Sequence, residues 1–206
     1  GAFGLPLEAC AEILTVRGLL PRASELPACQ IELATAAFHQ TGNDGQRVKL
    51  GLGSSAAIVV VLTGALLRLA GGPPLPRQEL IAICCEAHRR LQGGSGSGID
   101  VATAITGGAV AIDFSRQPGP EAGVPRAHPV SWPRRLRLVA VWSGQSASTP
   151  AMLSRLQVFF ERDPARFASH MGRLGANAGQ AVAAWRAEDL SGLLSAIAGY
   201  ESGLRQ

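Results

Sequence analysis

Lysine is almost missing from this chain: of its 19 lysines and arginines, only Lys49 is a lysine. Aromatic residues are scarce too, at 5% with a single tyrosine. Single-strand nucleic-acid binders interleave basic side chains with aromatic stacking platforms. Here the arginines are spread out, apart from a small cluster at Arg134, Arg135 and Arg137. The formal charge of +4 and pI near 9.3 therefore fit a protein with small anionic ligands, not a nucleic-acid partner. Four cysteines occur, with no CxxC pair and no Cys/His spacing suited to zinc. Cys84 and Cys85 lie side by side in an apolar helical stretch, as buried free thiols do, which points to a reduced, cytoplasmic setting. The longest apolar run, Ala56 to Ala70, is interrupted by Thr63, Gly64 and Arg68. It falls short of the roughly 20 residues that cross a bilayer, so no membrane partner is expected. Gly1 to Glu12 has neither the basic start nor the small-residue cleavage pattern of a signal peptide.

What is present is a large apolar fraction, 47% of 206 residues, which allows a sizeable core and argues against disorder. Leu5 to Leu20 has helical spacing, broken by Gly18 and Pro21. Cys29 to Phe38 alternates like a strand, with Ile31, Leu33 and Thr35 on one face. Thr41 to Gly45 is dense in turn formers, and Arg47 to Leu50 reads as the second arm of a hairpin with a five-residue connection. Helices follow from Ser54 or Ser55, as caps, to the Gly71-Gly72-Pro73-Pro74 stop, and from Pro76 to Leu91. A short helix is expected over Val101 to Thr106 and a strand over Ala109 to Phe114. Ser115 to Pro133, rich in Pro, Gly and Arg, is expected to be an exposed loop and the boundary between two domains. Arg135 to Trp142 alternates like a strand, Pro150 to Glu161 is helical, and Pro164 to Leu204 reads as two helices split near Glu188-Asp189.

The segment Lys49-Leu50-Gly51-Leu52-Gly53-Ser54-Ser55-Ala56-Ala57 carries the chemistry. Glycines let a backbone approach a ligand closely, and the first N–H groups of the following helix favour an anion. It reads as a phosphate cradle, but not a Walker A loop, because no Gly-Lys-[Ser/Thr] follows at the required spacing. A second glycine loop, Gly93-Gly94-Ser95-Gly96-Ser97-Gly98, leads into Ile99-Asp100-Val101-Ala102.

The two loops in this order resemble those of the GHMP kinase superfamily. Further likeness comes from Ala87-His88 with Gln92-Gly93 and from Trp142-Ser143-Gly144-Gln145-Ser146-Ala147-Ser148-Thr149, and within the family these resemble the phosphomevalonate kinases. The likeness covers roughly residues 30 to 155. It implies an α+β fold: a ribosomal protein S5 domain 2-like ATP-binding part over 1–128 and part of a ferredoxin-like domain over 129–206. It implies ATP and Mg²⁺ as cofactors and phosphoryl transfer to a small phosphorylated acceptor, most like phosphomevalonate, in isoprenoid synthesis. On this resemblance Gly51, Leu52, Gly53, Ser54, Ser55 and Ala56 hold the ATP phosphates, and Ser55 and Glu86 are the magnesium ligands. Asp100 orients or deprotonates the acceptor, and Lys49 neutralises phosphoryl charge. Ser97, Gly98, Ser146, Ser148 and Thr149 lie on the substrate side.

Plainer readings stand beside these. Ser54 and Ser55 are ordinary helix-cap residues, Asp100 suits any helix start, Glu86 is a routine surface glutamate, and the serines of 143–149 are a solvated turn. His88 is taken as structural, bonding the second glycine loop. The family's early Pro-Gly-[Lys/Arg] or Gly-Glu-[His/Tyr] motif and its late Gly-Ala-Gly-Gly-Gly loop have no match here. The expectation is therefore a kinase lacking both ends, weakly active alone, which forms a homo-oligomer or depends on a missing segment to cover exposed sheet edges. Two alternatives are a kinase of mevalonate, homoserine or a sugar, and a catalytically weak module that binds nucleotide or protein.

Overall fold

The computed structural model describes residues 4–21, 26–42, 45–94, 96–114, 122–142 and 149–205, with the backbone alone for 149–151. The chain divides into two compact units, Gly1–Pro129 and Val130–Gln206. Helices and small sheets are mixed, an α+β composition.

In the first unit four helices enclose the core: α1 (Gly4–Val16), α2 (Ser54–Leu69), α3 (Arg77–Leu91) and α4 (Ile99–Thr106). Helix α1 stops because Gly18 adopts φ +69°, so that the N–H groups of Leu19 and Leu20 turn back to the Leu14 carbonyl at 2.8 and 3.2 Å. Helix α2 buries Ala56, Val59, Leu62, Thr63 and Leu66, a stripe at helical spacing. Helix α3 answers with Ile81, Cys84, Cys85 and His88. Cys10, Ile13 and Leu14 of α1 and Val101 and Ala102 of α4 close the cluster. Each large aliphatic side chain buried there is worth about 1.5–3 kcal/mol.

Strands β1 (His39–Thr41) and β2 (Arg47–Lys49) pair antiparallel, with His39 opposite Lys49; the expected second arm forms, but the first arm is His39–Thr41 and not Cys29 to Phe38. Strands β3 (Ala109–Phe114) and β4 (Pro125–Val130) form a second pair. Three expectations are corrected. Cys29 to Phe38 is not a strand; it is irregular up to a 3-10 turn at Ala36–Phe38, because no described strand offers it a hydrogen-bonding partner. The interval 115–133 is not all loop, since its later half pairs as β4, while residues 115–121 lie outside the described residues. Arg135 to Trp142 alternates but makes no ladder among the described residues, leaving Leu138, Val139 and Val141 at 76%, 80% and 86% exposure. Alternation signals a face; the ladder needs a neighbour.

The second unit is mainly helical: α5 (Thr149–Arg162), α6 (Pro164–Arg186) and α7 (Leu190–Leu204). Asp163 and Asp189 cap α6 and α7, accepting from the Arg166 and Gly192 N–H groups at 3.0 Å each. The break at Glu188-Asp189 is where the sequence placed it, with Glu188 at φ +54°. Trp132 and Trp185 meet edge to face at 5.0 Å, and the Trp185 indole donates to the Ser131 carbonyl at 2.8 Å. No described helix is long and apolar enough to cross a membrane.

All four cysteines are free, and only Cys29 is exposed. Burial pushes the Cys84 thiol up to about 12 and Cys85 to about 11, and it raises Cys10 as well. One fast thiol, Cys29, is expected in a native thiol titration, with three more released only on unfolding. The raised thiols also fix a sign. Unfolded cysteine loses its proton from about pH 9 while the buried thiols keep theirs, so stability falls as pH rises above about 9. Urea melts at pH 8 and pH 10 check this.

Candidate functional site

The first glycine loop hangs between β2 and α2. The ladder extends one step beyond β2, with the Leu50 N–H donating to the Phe38 carbonyl at 2.9 Å, so the chain reaches the loop in fixed register. Gly51 (φ +73°) and Gly53 (φ +70°) then take left-handed conformations that turn the chain into the helix. Ser54 and Ser55 do not cap it, contrary to expectation. Gly53 is the N-cap, with no side-chain cap bond, and the serines occupy the first two helical positions. An uncapped first turn leaves its N–H groups directed at the loop, where the helix dipole favours negative charge. Leu52 stands out at 64% exposure between the two glycines. The two hydroxyls part company: Ser54 is buried at 4% exposure, whereas Ser55 reaches His88.

The second loop joins α3 to α4. Gly93, Gly94, Gly96 and Gly98 all have positive φ. Arg89 pins the loop from α3, donating to the Gly96 carbonyl at 3.3 Å and to the Gly123 carbonyl at 2.6 Å. Gly98 is the N-cap of α4, which starts at Ile99, two residues earlier than the sequence suggested, and places Asp100 in the first turn. The Asp100 Oδ1 accepts the Val101 N–H at 2.9 Å. Ser97 is exposed, and its hydroxyl accepts the Ile99 N–H at 3.4 Å. Gly98 is buried against Cys85 and Pro125, a packing position.

The two loops meet. A side chain added at Gly53 would come within 3.9 Å of the Asp100 Cβ. Between them sits His88, 3% exposed, with Nε2 at 3.1 Å from Ser55 Oγ and 3.2 Å from Gln92 Nε2, and Nδ1 at 3.8 Å from Asp100 Oδ2. Its pKa is lowered first by burial and also by the charge of Lys49, against the opposing pull of Asp100, so the ring is neutral at neutral pH. That electrostatic link brings Lys49, at the end of β2, to the same group as Ser55, His88 and Asp100.

Glu86 is not brought there. Its Oε2 pairs with Arg17 at 2.8 Å and its Oε1 with Arg90 at 3.3 Å. Two residues along a helix turn the side chain about 200° away, so Glu86 faces away from His88 and the loops. With both oxygens held by guanidinium groups, it does not fit the magnesium-ligand role read from the sequence. The described residues contain no cluster of three or more His, Cys, Asp or Glu side chains placed to hold a metal. Ser146 and Ser148 lie outside the described residues, and Thr149 opens the backbone of α5.

His88 and Gln92 are what sequence reasoning undervalued. The signal was present, a polar pair at i and i+4 ending a helix directly before a glycine loop, but His88 continues the buried stripe of Ile81, Cys84 and Cys85 and so reads as core. The order Ser55–His88–Asp100 is that of a nucleophilic triad. At 3.8 Å, however, the histidine–aspartate separation exceeds a hydrogen bond, so the orienting contact such a base needs is not made. What the site offers instead is an open helix N-terminus beside a carboxylate, with a lysine close enough to act electrostatically on His88, an arrangement that can accommodate an anionic group.

Residues 23–108 match the family model of the GHMP kinases N terminal domain. The matched segment, less than half of the chain, contains both glycine loops and every residue gathered around His88. No curated protein and no solved structure matches the chain.

Proposed function

We propose that the chain is a GHMP-type small-molecule kinase that transfers a phosphoryl group from ATP to a phosphorylated acceptor, phosphomevalonate first among the candidates. The observation that carries the reading is the meeting of the two loops, with Gly53 of the uncapped α2 beside Asp100 of α4.

ATP suits the first loop. The N–H groups from Gly53 to Ala56 would hold its phosphates, and the nucleotide supplies the phosphoryl group. Phosphoryl transfer needs little covalent help from the protein, mainly positioning and charge stabilisation. Lys49 contributes a compact positive charge, and it is the chain's only lysine among 18 arginines, a residue chosen for a point-charge contact. Asp100 orients the acceptor oxygen. A phosphate acceptor is already anionic at neutral pH, so Asp100 then acts more by placement than by proton removal. The support for a phosphorylated acceptor is the likeness of the Lys49 context and of the 142–149 segment to phosphomevalonate kinases.

The test is coupled ATP turnover with phosphomevalonate, mevalonate and homoserine in parallel. Turnover is expected to be highest with phosphomevalonate, and Lys49→Ala is expected to raise the acceptor KM at least tenfold. Equal turnover of mevalonate would move the assignment to an unphosphorylated acceptor. Nucleotide binding by calorimetry with no transfer to any acceptor would favour a binding module, and no nucleotide binding at all would refute the phosphate cradle.

A further inference from the structure

We propose that His88 is a positioning residue that locks the two glycine loops together through a single imidazole tautomer, with Nδ1 protonated toward Asp100 and Nε2 accepting from Ser55 and Gln92. Its catalytic consequence rests on the kinase reading above; the lock itself rests on geometry alone.

The hydrogen-bond inventory assigns the tautomer. The Gln92 nitrogen, 3.2 Å from Nε2, has only hydrogens to offer, so Nε2 must present its lone pair. The amide lies with its nitrogen toward the ring and Oε1 toward Gly96, and the nitrogen-15 shifts of the ring distinguish this orientation from the flipped one. A neutral ring with a lone pair at Nε2 carries its proton on Nδ1, the nitrogen facing Asp100 Oδ2. Ser55, at 3.1 Å from Nε2, must then donate its single hydroxyl hydrogen to the ring. The Ser55 oxygen then keeps both lone pairs for accepting, at the second position of a helix that no side chain caps. Without His88 the Ser55 hydroxyl loses this partner, and Asp100 loses the ring that faces it at 3.8 Å while keeping the Val101 N–H. One buried ring therefore fixes what the first loop presents to a ligand and, through Gln92, holds the start of the second loop beside it, with Nδ1 facing the Asp100 carboxylate at 3.8 Å. This arrangement uses three helices at once: Ser55 on α2, His88 on α3 and Asp100 on α4.

Two amide replacements divide the ring's functions. His88→Gln can set an amide oxygen near the Nε2 position and keep the Ser55 contact. His88→Asn can set an amide N–H near the Nδ1 position and keep only the Asp100 side. The experiment has two readouts on the intact chain. Nitrogen-15 NMR of the histidine rings, with His88 identified by the signal lost in His88→Gln, is expected to show Nδ1 protonated and Nε2 bare, with Nε2 shifting in Ser55→Ala. Steady-state kinetics are expected to show kcat reduced at least tenfold in His88→Asn at nearly unchanged acceptor KM, with His88→Gln recovering most of the loss. A ring protonated at Nε2, or an Nε2 signal indifferent to Ser55→Ala, overturns the lock. A wild-type chain that transfers nothing defeats the kinase reading, while the tautomer measurement still decides the lock. Equal kcat for both variants overturns the positioning role even where the tautomer is as assigned.

Discussion

Gly98→Ala is expected to destabilise the first unit by about 2–5 kcal/mol, far more than one methyl group usually costs. Two independent terms add. Gly98 sits at φ +73°, where an L side chain costs about 1–2 kcal/mol. The added Cβ would also collide with the Cys85 sulfur and lie 3.3 Å from Pro125 Cδ, in a buried position where overpacking costs about 1–3 kcal/mol. Gly51→Ala separates the terms, because Gly51 shares φ +73° but has nothing within 4 Å of an added Cβ. Urea denaturation of both variants against wild type is the measurement, with Gly51→Ala expected to lose only about 1–2 kcal/mol. Adding Cys85→Ala to Gly98→Ala should recover part of the larger loss, since the collision is then removed, and the pair should be non-additive. Equal losses for Gly51→Ala and Gly98→Ala would mean that packing under the second loop is not tight.

Asp100→Asn is expected to lower kcat on the order of 100-fold, at nearly unchanged nucleotide affinity and with less than about 1 kcal/mol change in stability. The substitution keeps the shape and an oxygen for the Val101 N–H at 2.9 Å, so the α4 start is preserved. What changes is the negative charge that faces His88 and the Gly53 turn. If Asp100 were only a helix-start residue, the variant would lose a few tenths of a kcal/mol in stability and nothing in rate. If it served the nucleotide rather than the acceptor, the ATP dissociation constant would rise in step with the fall in kcat. Calorimetric ATP affinity beside steady-state kinetics separates these outcomes. A kcat within threefold of wild type would remove Asp100 from the transfer step.

The glycine loops were legible because their backbone demands are local. Positive φ at Gly51, Gly53, Gly96 and Gly98 is something few other residues tolerate, so the sequence has to announce it. Helices α2, α3, α6 and α7 were legible for a similar reason: their apolar spacing and stop signals lie within a few residues of one another. The helix starts at Gly53 and Gly98 were missed by a residue or two, and the larger errors involve partners distant in sequence. Residues 29–35 and 136–142 alternate as strands do, but no described strand pairs with them. Glu86 had the right residue type for a hard cation, but its neighbours turned out to be Arg17, 69 residues away, and Arg90.

The amino-acid order alone therefore settled that a glycine turn opens a helix and that a second precedes Asp100, and it raised the expectation that both suit phosphate. Local dihedral preferences and the free N–H groups of a helix start require no other part of the molecule. Packing settled the rest. It placed Gly53 against Asp100, drew Lys49 into the same electrostatic group, and sent Glu86 to the opposite side of α3. It also made a hub of His88, which in the sequence is one more member of a buried stripe. Whether a side chain on that stripe meets carbon or a hydroxyl depends on which helices lie beside it, and that is fixed only when α2, α3 and α4 pack.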